Sequence, residues 1–194
     1  MNSPQAISER MEGTINAIHS LRDQLDEIVA LGQVVVECLQ KGGTLYTCGN
    51  GGSAAEAMHL AEELIGRYRG QDRPARRAMC LNADVAAMTC IANDFGYEQV
   101  FSRQVEGMLG RGDVLVVLST SGNSENIVKA LMAAKANGAK TIGLLGRGGG
   151  KCLAHCDHAI IVAGEDSAHI QEGHLVVVHL ICEAVEQAGE GLKA

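Results

Sequence analysis

Residues 113–146 read DVLVVLSTSGNSENIVKALMAAKANGAKTIGLLG. DVLVVLS is a short aliphatic, β-prone run, STSGNS a polar turn, ENIVKALMAAKANG a helical stretch closed by glycine, and KTIGLLG a second aliphatic run. Strand, helix and strand in this order form a crossover unit, so the two strands lie parallel in one sheet. Comparable runs stand at TLYTC (44–48), RAMCLN (77–82) and HAIIVAG (158–164), separated by helical stretches near 53–67, 85–92, 97–110, 124–137 and 167–188. The alternation predicts an α/β fold: a doubly wound parallel sheet of about five strands with helices on both faces.

Ahead of the first strand, Ile7, Met11, Ile15, Ile18, Leu21, Leu25 and Ile28 recur at steps of three or four. That spacing predicts an amphipathic helix, followed by a second through VALGQVVVECLQ that ends at Gly42 and Gly43. Residues 1–42 are thus expected to form a helical extension, packed on the domain or on a neighbouring subunit, and residues 43–194 the domain proper.

The chain has 194 residues, a length that suits one core, and its 46 % apolar content with 3 % aromatic and no Trp makes that core aliphatic. A formal net charge of −7, with a single dense basic stretch at RPARR (73–77), argues against a general nucleic-acid partner. MNSPQAISERMEG lacks the apolar run of a secretion signal, and no later stretch reaches membrane-spanning length. A soluble cytoplasmic protein without a membrane partner is expected. The seven cysteines, most of them inside apolar runs, read as reduced and buried.

In a doubly wound sheet, ligands bind beyond the carboxyl ends of the strands, where glycine-rich turns enter helices. STSGNS is one such turn. Gly122 permits tight turning, and the hydroxyls of Ser119, Thr120, Ser121 and Ser124 can converge with helix N-terminal N–H groups on phosphate oxygens. Capping of the helix would account for Ser124 alone. CGNGGS is the second turn, in which Asn50, Gly51 and Gly52 bring backbone close to a ligand. It is not a dinucleotide fingerprint, because Ala54 stands where the third glycine belongs, and GRGGGK is not a phosphate-binding P-loop, because Leu145 and Cys152 replace its first glycine and its hydroxyl residue.

The helix after CGNGGS carries His59 and Glu63 four residues apart, on one face. The last helix presents Gln171, His174 and His179, with His179 inside the apolar run VVVHLIC, where an imidazole needs a partner. A satisfied core histidine is the simpler reading of His179, and a solvated or ion-paired acid that of Glu63. A competing zinc site is KCLAHCDH, with Cys152, His155, Cys156 and His158.

Taken together, CGNGGSAAEAMHLAEELIGRY, IANDFGYEQVFSRQVE, GDVLVVLSTSGNS and HIQEGHLVVVHLICE resemble the sugar isomerase (SIS) domain family, and within it the phosphoheptose isomerases, over nearly the whole chain. The resemblance implies a phosphosugar-binding domain over residues 43–194 in a homotetramer with active sites at subunit interfaces. It implies an aldose–ketose isomerase that interconverts sedoheptulose 7-phosphate and D-glycero-D-manno-heptose 7-phosphate through an enediol, for heptose biosynthesis. It further implies one Zn2+ per subunit held by His59, Glu63, Gln171 and His179, with Glu63 and His179 as the proton-transfer pair. Substrate contacts would come from Asn50, Gly51, Gly52, Ser53, Glu63, Asn93, Asp94, Ser119, Thr120, Ser121, Ser124 and Gln171.

One departure is visible: His169 stands where relatives commonly carry arginine, which is expected to alter substrate orientation or interface pairing before chemistry. Gly173 is unusual within a helix, and close approach of another backbone would account for it. Two rival functions remain: isomerisation of a different sugar phosphate, and a non-catalytic SIS-domain adaptor or sugar-phosphate sensor. The presence of Glu63, Gln171 and His179 together favours catalysis.

Overall fold

The structure, a computed structural model, describes residues 3–70 and 72–189. Five parallel strands form one sheet in the order β2-β1-β3-β4-β5: β1 Leu45–Gly49, β2 Ala78–Cys80, β3 Val114–Ser119, β4 Lys140–Gly146 and β5 His158–Val162. Seven α-helices accompany them: α1 Pro4–His19, α2 Leu25–Gln40, α3 Gly52–Ile65, α4 Val85–Phe95, α5 Ser102–Met108, α6 Glu125–Ala136 and α7 Ser167–Ala188. β1, β3 and β4 are buried on both faces, as parallel strands between helical layers must be, which is why their sequences are nearly continuous aliphatic runs.

Alternate strand residues serve two separate cores. Leu45, Val114, Val116, Leu118, Ile142 and Leu144 pack with α1, α2, α3 and α7. Tyr46, Cys48, Leu115, Val117 and Leu145 pack with α4, α5 and α6. The two-residue period of a strand thus divides its side chains between the layers.

Two local predictions are corrected. The stretch 97–110 is not one helix: Gly96, at φ 92°, ends α4, a single 3-10 turn follows at Tyr97–Gln99, and α5 begins only at Ser102. Val100 and Phe101 between them are fully buried, so the chain bends there to insert an aromatic side chain into the core. Gly173 faces not a backbone but the side chain of Val162 on β5, within 2.6 Å of where a Cβ would stand.

The helices before β1 lie against the rest of the chain, α1 and α2 on α7 and α2 on β5. Gln24, in the 3-10 turn between them, exchanges hydrogen bonds of 2.9 Å with the backbone N–H and carbonyl of Ile161. Among the described residues, no helix is long and apolar enough to cross a membrane.

Candidate active site

The strand order reverses between β1 and β3, whose carboxyl ends pair side by side, Gly49 with Leu118. The two glycine-rich turns therefore open next to each other at the point where doubly wound sheets bind ligands.

In the β3 turn, Ser119 Oγ accepts from Gly122 N–H at 3.1 Å and Ser121 Oγ from Asn123 N–H at 3.2 Å. A hydroxyl that accepts from backbone keeps its own proton to donate, so both can serve an anion. Ser124 occupies the N-cap of α6, yet its hydroxyl makes no capping bond; capping does not explain it. Thr120 Oγ1 lies 3.3 Å from Ser167 Oγ at the start of α7.

Gly122 has φ 62°, and the backbone of Gly149 fills the place a Cβ would take. The segment RGGGK buttresses the turn: Cys152 N–H donates to the Gly122 carbonyl at 2.8 Å and Lys151 N–H to Asn123 Oδ1 at 3.1 Å. Sequence reasoning excluded GRGGGK as a P-loop without finding this role.

In the β1 turn, Asn50 Nδ2 donates to Asn126 Oδ1 at 2.9 Å and Asn126 Nδ2 returns a bond to Asn50 Oδ1 at 2.8 Å. Tyr97 O–H adds a third at 3.0 Å. The Asn50 side chain thus ties the two turns together. Gly52 abuts the Gln171 amide, and a Cβ there would lie 2.5 Å from Nε2. Ser53 is buried beneath the turn. Asn93 and Asp94 are exposed near the C-terminal end of α4, bonded to each other at 2.6 Å.

Farther along α3, His59 Nε2 donates to Glu63 Oε1 at 3.0 Å. His179 of α7 meets this pair, its ring edge-on to His59 at 5.3 Å between centroids and stacked on Tyr68 at 5.8 Å. One ligand atom from each of His59, Glu63 and His179 lies within 4.8 Å of the others. Two imidazoles and a carboxylate so placed are a donor set that could hold a metal ion. Gln171 stands eight residues before His179, roughly 12 Å along the helix at 1.5 Å per residue, and the single chain keeps it with Gly52.

The competing KCLAHCDH cluster does not assemble. Among the described residues, His59, Glu63 and His179 are the only such group of possible metal ligands. His158 Nδ1 pairs with Glu27 at 2.9 Å instead, and burial pushes the thiols of Cys152 and Cys156 up to about 11 and about 12, away from the thiolate a metal requires. His169, at the position of the usual arginine, lies against Gly13 of α1 and donates from Nε2 to the Arg10 carbonyl at 3.2 Å.

Sequence reasoning also missed Asn126, Tyr97 and Tyr68. Asn126, two residues beyond STSGNS, carried a signal as an amide in the first turn of α6 beside the apolar Ile127 and Val128; the tyrosines carried none.

Comparisons with known proteins agree with this fold. Residues 11–146 match the family model of the SIS domain. A phosphoheptose isomerase of Campylobacter jejuni is 44 % identical over 162 residues, 84 % of this chain and 87 % of that one. One of Helicobacter pylori is 44 % identical over 176 residues, 91 % and 90 % of the two chains. The solved structure of a phosphoheptose isomerase from Francisella tularensis superposes with a TM-score of 0.92 at 34 % identity, covering 96 % of this chain and all of that one. The chain belongs to the SIS domain family, among its phosphoheptose isomerases.

Proposed function

We propose that the protein is an aldose–ketose isomerase that interconverts sedoheptulose 7-phosphate and D-glycero-D-manno-heptose 7-phosphate for heptose biosynthesis. The observation that carries the reading is the meeting of Glu63 and His179, from helices far apart in sequence, with Glu63 on a helix, α3, that starts at the β1 turn, next to the hydroxyl-bearing β3 turn. An adaptor or sensor has no need of an acid and an imidazole so arranged.

Ketose–aldose interconversion moves one proton between adjacent carbons and one between their oxygens. Glu63 takes the proton from the carbon beside the carbonyl and returns it to the neighbour, while His179 carries the hydroxyl proton. The hydroxyls of Ser119, Thr120, Ser121 and Ser124, with the N-terminal amides of α6, hold the phosphate. Asn50, Gly51, Gly52, Ser53, Asn93, Asp94 and Gln171 orient the sugar. One Zn2+ per subunit, at His59, Glu63 and His179 with Gln171 as a further ligand, would supply Lewis-acid stabilisation of the developing oxyanion.

We further read the chain as a cytoplasmic homotetramer with residues 1–42 as a helical extension on a domain spanning 43–194. Exposed Val29 and Leu180 beside an apolar groove between α2 and α7, and exposed Met79, Phe95 and Met108 beside another at the β2 edge, support burial against further copies. The separation of Gln171 from the triad within one chain supports sites shared between subunits. Direct assay of the purified protein on sedoheptulose 7-phosphate, with and without zinc, tests the whole reading; no interconversion under either condition defeats it.

A further inference from the structure

The seam between α3 and α7 holds a second acid and imidazole outside the triad. Glu56 Oε2 lies 4.0 Å from His174 Nδ1, with side chains 14 % and 0 % exposed. Glu56 Oε2 and both ring nitrogens of His174 are buried without a hydrogen-bond partner. Buried polar atoms are nearly always paired, because desolvation is otherwise uncompensated. Of these atoms, Glu56 Oε2 and His174 Nδ1 are close enough for a small shift or one water to join them.

Which protonation state fits is decided by the surroundings. Burial alone raises the Glu56 carboxyl to about 8. It lowers the His174 imidazole to about 4, against a smaller opposing pull from the Leu145 backbone. Both shifts disfavour charge, so near neutral pH the proton resides on the carboxyl. A neutral O–H donor then faces a neutral imidazole acceptor.

The position of the pair suggests its use. Along α3, Gly52, Glu56, His59 and Glu63 follow at steps of four, three and four, on one face. Along α7, Gln171, His174 and His179 follow in the same direction. Gly52 meets Gln171, Glu56 meets His174, and His59 with Glu63 meets His179. Glu56 and His174 form the middle rung, between the β1 turn and the triad.

We propose that Glu56 and His174 close into an uncharged, proton-sharing hydrogen bond, carboxyl O–H to imidazole nitrogen, directly or through one water. The bond acts as a positioning pair that fixes the spacing of α3 and α7 and so holds His59 and Glu63 against His179. This rests on the triad being the reaction centre. The required property of Glu56 is then a neutral donor, not a transferable proton. Glu56→Gln keeps a donor at the same reach, whereas Glu56→Ala removes it.

The test combines three measurements: kcat and KM on sedoheptulose 7-phosphate, zinc affinity, and the 15N signals of the His174 imidazole. His174 in the wild-type protein is expected to stay neutral from pH 5 to 8, as its depressed proton affinity requires. Glu56→Ala is expected to lower kcat and zinc affinity by about tenfold with KM changed less than about twofold, while Glu56→Gln restores most of both. Glu56→Gln as inactive as Glu56→Ala would overturn the proposal, because the transferable proton would then be what matters. An imidazolium signal for His174 at pH 6 to 7, or full kcat and zinc affinity in a folded Glu56→Ala, would also overturn it. A wild-type protein inactive on sedoheptulose 7-phosphate would instead defeat the site reading, and zinc affinity with the imidazole signals would still decide the bond and its hold on the triad.

Discussion

Asn50 and Asn126 exchange two amide hydrogen bonds, of 2.9 and 2.8 Å, across the gap between the β1 and β3 turns. Asn126 is only 3 % exposed, so its amide has little recourse to water. Replacing it with Leu strands the Asn50 amide and lets the turns separate. The expected loss is about 1–3 kcal/mol, or a fall in Tm of roughly 2–12 °C for a chain of this size. KM for the sugar phosphate should rise as well. Thermal unfolding and steady-state kinetics on one preparation check both, and an unchanged Tm would show that the pair does not join the turns.

Glu63 keeps one carboxylate oxygen on His59 and belongs to the group that includes His179. Glu63→Gln retains the size and hydrogen-bonding reach of the side chain but cannot accept a carbon-bound proton. Turnover should fall by about 10²–10⁴, the range that a positioned general base contributes, while calorimetric binding of the sugar phosphate persists. Retained turnover would remove Glu63 from the role of base.

Ser121 and Ser124 sit in a turn whose shape is held by other atoms. The Ser124 hydroxyl caps nothing, and Gly122 and Asn123 are braced by Cys152 and Lys151. Ser121→Ala with Ser124→Ala should therefore weaken phosphate binding more than folding. Each lost bond to a charged group is worth about 1.5–3 kcal/mol, so KM should rise at least about a hundredfold for the pair, at tenfold per 1.4 kcal/mol. Unchanged KM would mean that the phosphate is held elsewhere.

The five strands could be read from sequence because each is a short, mostly apolar run bounded by glycine or polar residues, and in β1, β3 and β4 burial on both faces enforces that composition. The break at Val100 and Phe101 could not, since a helix and a bent connection of the same hydrophobicity look alike until the core that receives Phe101 is known. The site divides similarly. The serine-rich turn and the His59/Glu63 spacing are local patterns. The partnerships of Asn50 with Asn126, of His179 with Tyr68 and of Glu56 with His174 join elements far apart in the chain. Gly13 and His169 make the same point: the glycine on α1 leaves the space that the ring on α7 occupies, and neither residue alone announces it.

Stability should depend on pH through Glu56 and His174 with opposite signs. Folding lowers His174 from 6.5 to about 4, so between those values the unfolded chain binds a proton that the folded chain does not, and stability falls as pH is lowered. Folding raises Glu56 from 4.5 to about 8, so over that window the unfolded chain releases a proton that the folded chain keeps, and stability falls as pH is raised. Between 4.5 and 6.5 the two effects oppose each other. From 6.5 to 8 only the Glu56 effect remains, at up to about 1.4 kcal/mol per pH unit, or roughly 2 kcal/mol in total. Glu56→Gln removes this slope and leaves the acid limb from His174. Urea unfolding of both proteins at pH 5.5, 6.5, 7.5 and 8.5 should therefore show curves that diverge as pH rises, with the variant gaining on the wild type throughout. Parallel curves would mean that Glu56 is ionised in the folded protein, and a buried carboxylate would have to replace the neutral donor at the middle of the seam.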